Sequence, residues 1–178
     1  RPQKENMKFV IGGKELLNDF YDVFSINMRN LGSPVHAKLF FLNIINLLGK
    51  TIKVGIVYYK TKPVAAGIIT LIKEFVEIPW ASSLRKYNRF SPNMLLYWEL
   101  IKYVTDAGYK IFDFGRSTVN ESTYKFKKQW GSLPIELNWY STVSDFSLNN
   151  EFKKEVFIKI WQKLPLNLTK TFGPILRR

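Results

Sequence analysis

Residues 75 to 114 carry the pattern that restricts the fold most. A strand-like run (FVEIPWA, 75–81), a basic loop, a helix and a second short strand-like run (KIFDF, 110–114) follow one another without a linker. A helical crossover of that length returns the chain in its original direction, so the two strands are expected to be parallel neighbours in one sheet. Both ends of the helix are marked. Ser91-Pro92 is a start signal, with serine as N-cap and proline at the first helical position, and Gly108 stops the helix after Asn93–Ala107. Pro79 has no N–H for a ladder, which predicts an edge or a bulge in the first strand.

The flanking segments supply the remaining layers. Glu15–Asn30 spaces Leu16, Phe20, Val23, Phe24 and Met28 on one helical face and ends before Gly32 and Pro34. Ala37–Leu48 repeats that spacing with Leu39, Phe40, Ile44, Leu47 and Leu48, and Gly49 is its stop. Residues 52–59 and 64–72 are β-branched and aromatic and flank the turn Lys60–Pro63, the pattern of a hairpin. Downstream the sequence predicts a short helix over Ser122–Trp130, a strand over 135–143, and an amphipathic helix over 151–163 with Phe152, Val156, Ile160 and Trp161 on one side. The expected class is α/β (α+β): a mixed sheet of 52–59, 64–72, 75–82, 110–114 and 135–143 flanked by helices, in one domain over 1–178 whose segment 151–178 is a C-terminal amphipathic helix and tail.

Apolar residues make up 46% of the 178, enough for a sizeable core. No apolar run approaches the roughly 18 residues that span a bilayer. The opening at Arg1, with no charged-then-apolar leader, reads as a fragment of a longer protein. With no cysteine, disulfides, thiolate catalysis and cysteine zinc sites are excluded, which suits a cytoplasmic protein. The single histidine, His36, lies near a helix start and reads as a surface or capping residue, so a Ser-His-Asp triad and a metal site are not expected. A net charge of +13 points to anionic partners, against the alternative of a solvated lysine-rich surface.

Two clusters concentrate that charge. Arg85, Lys86 and Arg89 stand just ahead of the Ser91-Pro92 helix start, where unpaired N–H groups and the helix dipole favour phosphate. In TYKFKKQW (123–130), Lys125 and Lys128 fall on one side among Tyr124, Phe126, Lys127 and Trp130. Such interleaving suits single-stranded nucleic acid, and equally a core aromatic face with snorkelling lysines. Asp113-Phe114-Gly115 resembles a kinase triplet, but no glycine-rich loop or His-Arg-Asp loop accompanies it. Asp113 instead ends a strand, Gly115 permits a tight turn, and Arg116, Ser117 and Thr118 open a loop at the end of the sheet where α/β folds bind ligands.

Three stretches, PWASSLRKYNRFSPNMLLYW (79–98), FDFGRST with TYKFKKQWG (112–131) and WQKLPLNLTKTFGP (161–174), resemble the FemAB-like proteins, relatives of the aminoacyltransferases that build peptidoglycan cross-bridges. The likeness is greatest to the FemAB-type proteins of exosortase and exopolysaccharide systems. It covers about residues 20–175 and implies a GNAT-like acyltransferase fold, whose element order this chain shares. It further implies that the chain is the C-terminal of two such domains, with an N-terminal domain missing. The implied activity is aminoacyl or acyl transfer to an amine of a peptidoglycan, cell-envelope or exopolysaccharide precursor. Phe126 and Lys127 would then sit by the substrate's phosphates. The implied partners are an anionic small-molecule or lipid-linked precursor and tRNA, not DNA, at the inner face of the membrane.

GNAT enzymes that use coenzyme A commonly carry a Gln/Arg-x-x-Gly-x-Gly/Ala loop before the helix, whereas Arg85–Ser91 holds no glycine. Aminoacyl-tRNA is therefore the expected donor ahead of acyl-CoA, with no tightly bound cofactor. Direct attack of an acceptor amine on the donor carbonyl needs positioning above all. Glu77, Asp113 or a water would take the amine proton, Tyr87 would reprotonate the leaving group, and backbone N–H groups near Pro79 would meet the oxyanion. The competing readings are a non-catalytic basic module gripping RNA or an anionic polysaccharide, an acetyl-CoA-dependent N-acetyltransferase, and peripheral membrane attachment through the lysine-rich tail with Lys153, Lys154, Lys159 and Lys163.

Overall fold

The computed structural model describes residues 6–138, 140 and 151–177, with side chains omitted for 151–154. Along the chain the elements are β1 (Met7–Gly12), α1 (Leu17–Asn30), α2 (Lys38–Leu48), β2 (Ile52–Tyr59), β3 (Lys62–Ile72), β4 (Phe75–Ser83), α3 (Pro92–Asp106), β5 (Ile111–Asp113), α4 (Ser122–Lys128), α5 (Glu151–Lys163) and α6 (Leu166–Leu176). The strands form one five-stranded sheet in the order β1-β2-β3-β4-β5. Three neighbouring pairs are antiparallel, and β4 with β5 is parallel, as the helical crossover through α3 requires.

Strand alternation divides the core between two sheet faces. Ile52, Val54, Ile56, Ala66 and Ile68 pack with Phe20, Phe24 and Phe41 of α1 and α2. Val57, Ala65, Ile69, Val76 and Ile78 pack with Leu95, Leu96, Leu100 and Val104 of α3. Between the pairs Ile68–Trp80 and Thr70–Glu77, one residue of β3 faces two of β4, Ile78 and Pro79. This is a bulge, and it reverses the parity of β4: Trp80 turns to the α1 face, with its ring 5.3 Å from that of Phe41.

Four sequence expectations need correction. Met7–Gly12 is a strand the sequence reading passed over, paired with β2 from Met7–Tyr59 to Gly12–Val54. Residues 135–138 and 140 are not strand: Ile135 is 86% and Tyr140 94% exposed, so their alternation finds no apolar surface. The rest of the expected strand, 139 and 141–143, lies outside the described residues. Val156 and Ile160 do not share a face with Trp161, because Trp161 is buried while the other two are exposed. The side chain of Phe152 lies outside the described set.

The tail is also more than one helix. Pro165 is the N-cap of α6, which the reading missed because Gly173 and Pro174 look like terminators. Gly173 is needed there for another reason: a Cβ would meet the backbone N of Val35 at 2.8 Å. Lys170 Nζ pairs with Asp22 at 3.1 Å, Gln162 Nε2 donates to the Asn30 carbonyl at 3.0 Å, and Arg177 Nη1 donates to that of Pro34 at 2.6 Å. Both tail helices are thereby held against the α1 side.

Candidate active site

β4 and β5 are hydrogen-bonded neighbours for only three pairs, Phe75–Ile111, Val76–Phe112 and Glu77–Asp113. Beyond them β4 passes its bulge and continues to Ser83, whereas β5 stops and the chain turns away at Gly115. Gly115 has φ +69°, a left-handed conformation that side-chain-bearing residues adopt rarely. Asp113 Oδ1 accepts the Gly115 N–H at 2.7 Å, so the aspartate closes this turn.

Past its pairing with β5, the end of β4 borders a groove of about 330 Å³. Ala81, Ser82 and Ser83 of β4 form one wall, Asn93 and Tyr97 of α3 another, and Ser122, Thr123, Phe126 and Lys127 of α4 the third, with Asn27 and Leu31 of α1 at the rim. A hollow of about 260 Å³ shares Ser83, Asn93 and Phe126 and extends to Asn88, Ser91 and Met94 at the start of α3. Asn27 Nδ2 donates to Ser82 Oγ at 3.1 Å, which fixes both polar groups. Tyr97 stacks on Phe114 at 5.6 Å and meets Phe126 edge-on at 5.0 Å, and burial pushes its hydroxyl up to about 12.

Lys127 is the one charged side chain among the described lining residues. Its Nζ donates to the carbonyls of Gly115 and Arg116, both at 2.8 Å, tying α4 to the turn that opens the groove. Burial lowers its pKa, and the nearby Asp113 carboxylate opposes that shift. Among the described residues no three His, Cys, Asp or Glu gather as metal ligands.

The start of α3 is poor in free donors. Ser91 lies at φ +57° and ψ +46°, Pro92 has no N–H, and the N–H groups of Met94 and Leu95 both turn to the Ser91 carbonyl. Asn93 carries the first-turn N–H left without a backbone partner among the described residues.

Of the residues singled out from sequence, Phe126 and Lys127 line the groove. Arg116 is exposed just past Gly115 and contributes its carbonyl to Lys127, while Ser117 Oγ is buried without a partner among the described residues. Arg85 and Lys86 are exposed on the 3-10 turn Arg85–Phe90, and the Arg89 guanidinium lies over the Phe90 ring at 4.4 Å. None of these three is among the residues that line the groove with Lys127. Tyr87 packs between the two core clusters, its ring 5.8 Å from that of Tyr59. Glu77 is exposed where β4 and β5 are still paired. Asn27, Ser82, Ser83, Asn93, Tyr97, Ser122 and Thr123 also line it without having been singled out, and Asn93, directly after the Ser91-Pro92 start, is the one whose position in the sequence signalled it.

Residues 4–128 match the family described as acetyltransferase (GNAT) domain. No curated protein sequence matches the chain. Among solved structures it is similar to an aminoglycoside acetyltransferase from an uncultured soil metagenomic sample, solved with sisomicin: 10% identity, 81% of this chain, 100% of that one, TM-score 0.64. It is also similar to the ribosomal-protein-S18-alanine N-acetyltransferase from Escherichia coli (13% identity, 70% of this chain, 76% of that one, TM-score 0.58). A third similarity is to the aminoglycoside N-acetyltransferase AAC(6')-Iy in complex with CoA (10% identity, 79% and 96%, TM-score 0.62). At these identities the likeness is one of fold.

Proposed function

We infer that this chain, which belongs to the GNAT acetyltransferase family, transfers an acyl or aminoacyl group to an amine in the groove at the end of β4, in the manner of the FemAB-like proteins it resembles. The observation that carries this reading is the chemistry of the groove wall. Among the described lining residues, hydroxyls and amides from Asn27, Ser82, Ser83, Asn93, Ser122 and Thr123 surround one aromatic face, one cation and no carboxylate. Such a wall suits a hydroxyl-rich acceptor that is neutral or anionic, such as an amino sugar or peptide amine of a cell-envelope or exopolysaccharide precursor. A polycationic aminoglycoside would meet Lys127 and a chain of net charge +13, with no carboxylate among the described lining residues to pair it.

The start of α3 supports a choice of donor. A pyrophosphate gripped there needs several convergent N–H groups, and Pro92, Met94 and Leu95 withhold theirs. The chain therefore takes an aminoacyl ester carried by tRNA ahead of acyl-CoA, its exposed Arg85, Lys86 and Arg89 serving a long polyanion better than a compact one. The acceptor nitrogen attacks the ester carbonyl, the C–N bond forms, the C–O bond to the ribose breaks, and the amine proton leaves through water to the departing oxygen. Among the described residues no carboxylate lines the groove, so in this reading Asp113, Glu77 and Tyr87 stand outside the reacting atoms.

Calorimetry with acetyl-CoA and, separately, with charged and uncharged tRNA tests the reading. The expected result is binding of the charged tRNA and no stoichiometric binding of acetyl-CoA. Tight one-to-one binding of acetyl-CoA would replace it with an ordinary N-acetyltransferase, and equal grip on every RNA would replace it with a non-catalytic binding module.

A further inference from the structure

The helices on the α1 side of the sheet leave an apolar surface uncovered. α2, KLFFLNIINLL, is apolar nearly all round, and a helix of that kind is normally buried. Only Phe41 and Ile45 are buried here, while Leu39 is 61% and Leu47 84% exposed. The tail helices add to the same side. Ile160 of α5 and Phe172 and Ile175 of α6 are 57%, 50% and 59% exposed. The C-terminal end of α6 meets the start of α2 through the segment before it, with Gly173 against Val35, Arg177 on the Pro34 carbonyl, and His36 stacked on Phe40 at 4.5 Å.

We propose that this face, formed by α2, α5 and α6, seats the protein on the surface of an anionic lipid bilayer. Lys38 and Lys50 bracket α2, and α2 and α6 hold no acidic residue. On α5, at 100° per residue, exposed Lys159 and Lys163 border the stripe of Val156 and Ile160, and the exposed Glu155 falls beyond Lys159, away from the stripe. Apolar stripes edged by lysines match an interface where acyl chains meet anionic headgroups, because lysine stems reach past the apolar contact to the charge. Protein interfaces are depleted in lysine, and a second copy would bring another +13 against the first. No helix among the described residues is long and apolar enough to cross a membrane, so the contact is made from one side.

The placement has a consequence for the groove. α5 docks on the end of α1, with Ile158 against Gly32 and Gln162 bonded to the Asn30 carbonyl. Asn27 and Leu31 at that end of α1 lie at the groove's rim. A bilayer touching α5 therefore lies beside the groove mouth, which, on the function proposed above, brings a headgroup-linked acceptor within reach.

The test is flotation of the 178-residue chain with vesicles of phosphatidylcholine alone and of phosphatidylcholine mixed with phosphatidylglycerol, alongside light scattering of the free protein. A monomer that floats with the anionic vesicles is expected. Leu39→Asn with Leu47→Asn should lower the bound fraction at least tenfold, and Lys159→Gln with Lys163→Gln should erase the preference for phosphatidylglycerol. Leu47→Asn alone, at so exposed a position, keeps the test intact if the double variant melts early. A monomer that floats with neither vesicle overturns the proposal. So does binding that the leucine variants leave unchanged, or a lipid-free dimer that they dissociate.

Discussion

β4 and β5 behave differently at their two ends. Where they begin, three parallel pairs join them, and on the α3 side Val76 is buried and Phe112 partly so. Where they end, the same strands part, and β4 borders a groove lined by hydroxyls, amides and one ammonium. Three features mark the change: a bulge at Ile78 and Pro79, a glycine at positive φ, and a lysine bridging the turn to α4. A backbone edge in a globular protein is usually paired or covered. Here it is opened at one defined place, beside the groove. Substitutions at the paired end should therefore act through stability, and those at the open end through activity first.

Lys127→Met should separate the two most. Removing the ammonium frees the carbonyls of Gly115 and Arg116 and lets the turn move relative to α4. Misplacement of about 1 Å in a positioned site is worth about 10²-fold, so single-turnover transfer should fall by about that factor. Stability should fall by only about 1 kcal/mol, since the bonds are half-exposed. A general polyanion binder would instead lose affinity modestly, with a salt slope lower by about one. Unchanged turnover would show that the lysine bridge does not hold the site.

Gly115→Val asks whether the turn itself is strained. The space is open, since a Cβ would lie 4.0 Å from the Ile78 carbonyl oxygen, so any effect comes from φ +69°. A β-branched residue in that conformation costs about 1–2 kcal/mol, readable as a lower urea midpoint with an unchanged slope. A neutral result would mean that the chain leaves β5 by another path.

These positions were unequally legible in the sequence. The parallel pair could be read because Ser91-Pro92, Gly108 and the two flanking runs are local signals, and Pro79 announced the bulge through its missing N–H. The groove could be read only in part. Phe126 and Lys127 stood out as a cluster, but that Lys127 bonds two carbonyls eleven and twelve residues away depends on how α4 packs, which no local pattern encodes. Asn27 and Tyr97 lie in helices whose periodicity accounts for them equally well as surface or core. Arg85, Lys86 and Arg89 are the opposite case. Their closeness to a helix start is a fact of sequence, whereas their direction is set by a 3-10 turn that lays Arg89 on Phe90.

Asp113 offers a finer cut, because it sits at the boundary between the two ends. Its Oδ1 closes the Gly115 turn, so Asp113→Ala should lose about 0.5–1.5 kcal/mol, while Asp113→Asn keeps an acceptor and should lose less than about 0.5 kcal/mol. If Asp113 supports the frame, the asparagine variant keeps turnover within a few-fold of wild type. A loss of about 10²-fold with stability intact would make it the base instead.

The smallest expected effect concerns what kind of place the open end is for a charge. Burial lowers the Lys127 pKa below its ordinary 10.5, and the Asp113 carboxylate only partly offsets this. A lysine that titrates lower in the folded chain than in the unfolded one is bound by fewer protons when folded, so stability rises with pH between those two values. Its contribution is present above 10.5 and is lost as pH falls through the folded pKa. Urea melts of wild type and Lys127→Met across pH 7 to 11 should therefore give a difference that moves in favour of wild type with rising pH, until about 10.5 where it levels. Tyr97, pushed up to about 12, is common to both proteins and cancels. A difference that moves the other way would mean that the two carbonyls and Asp113 outweigh burial, and that the groove is built to hold a cation at no penalty.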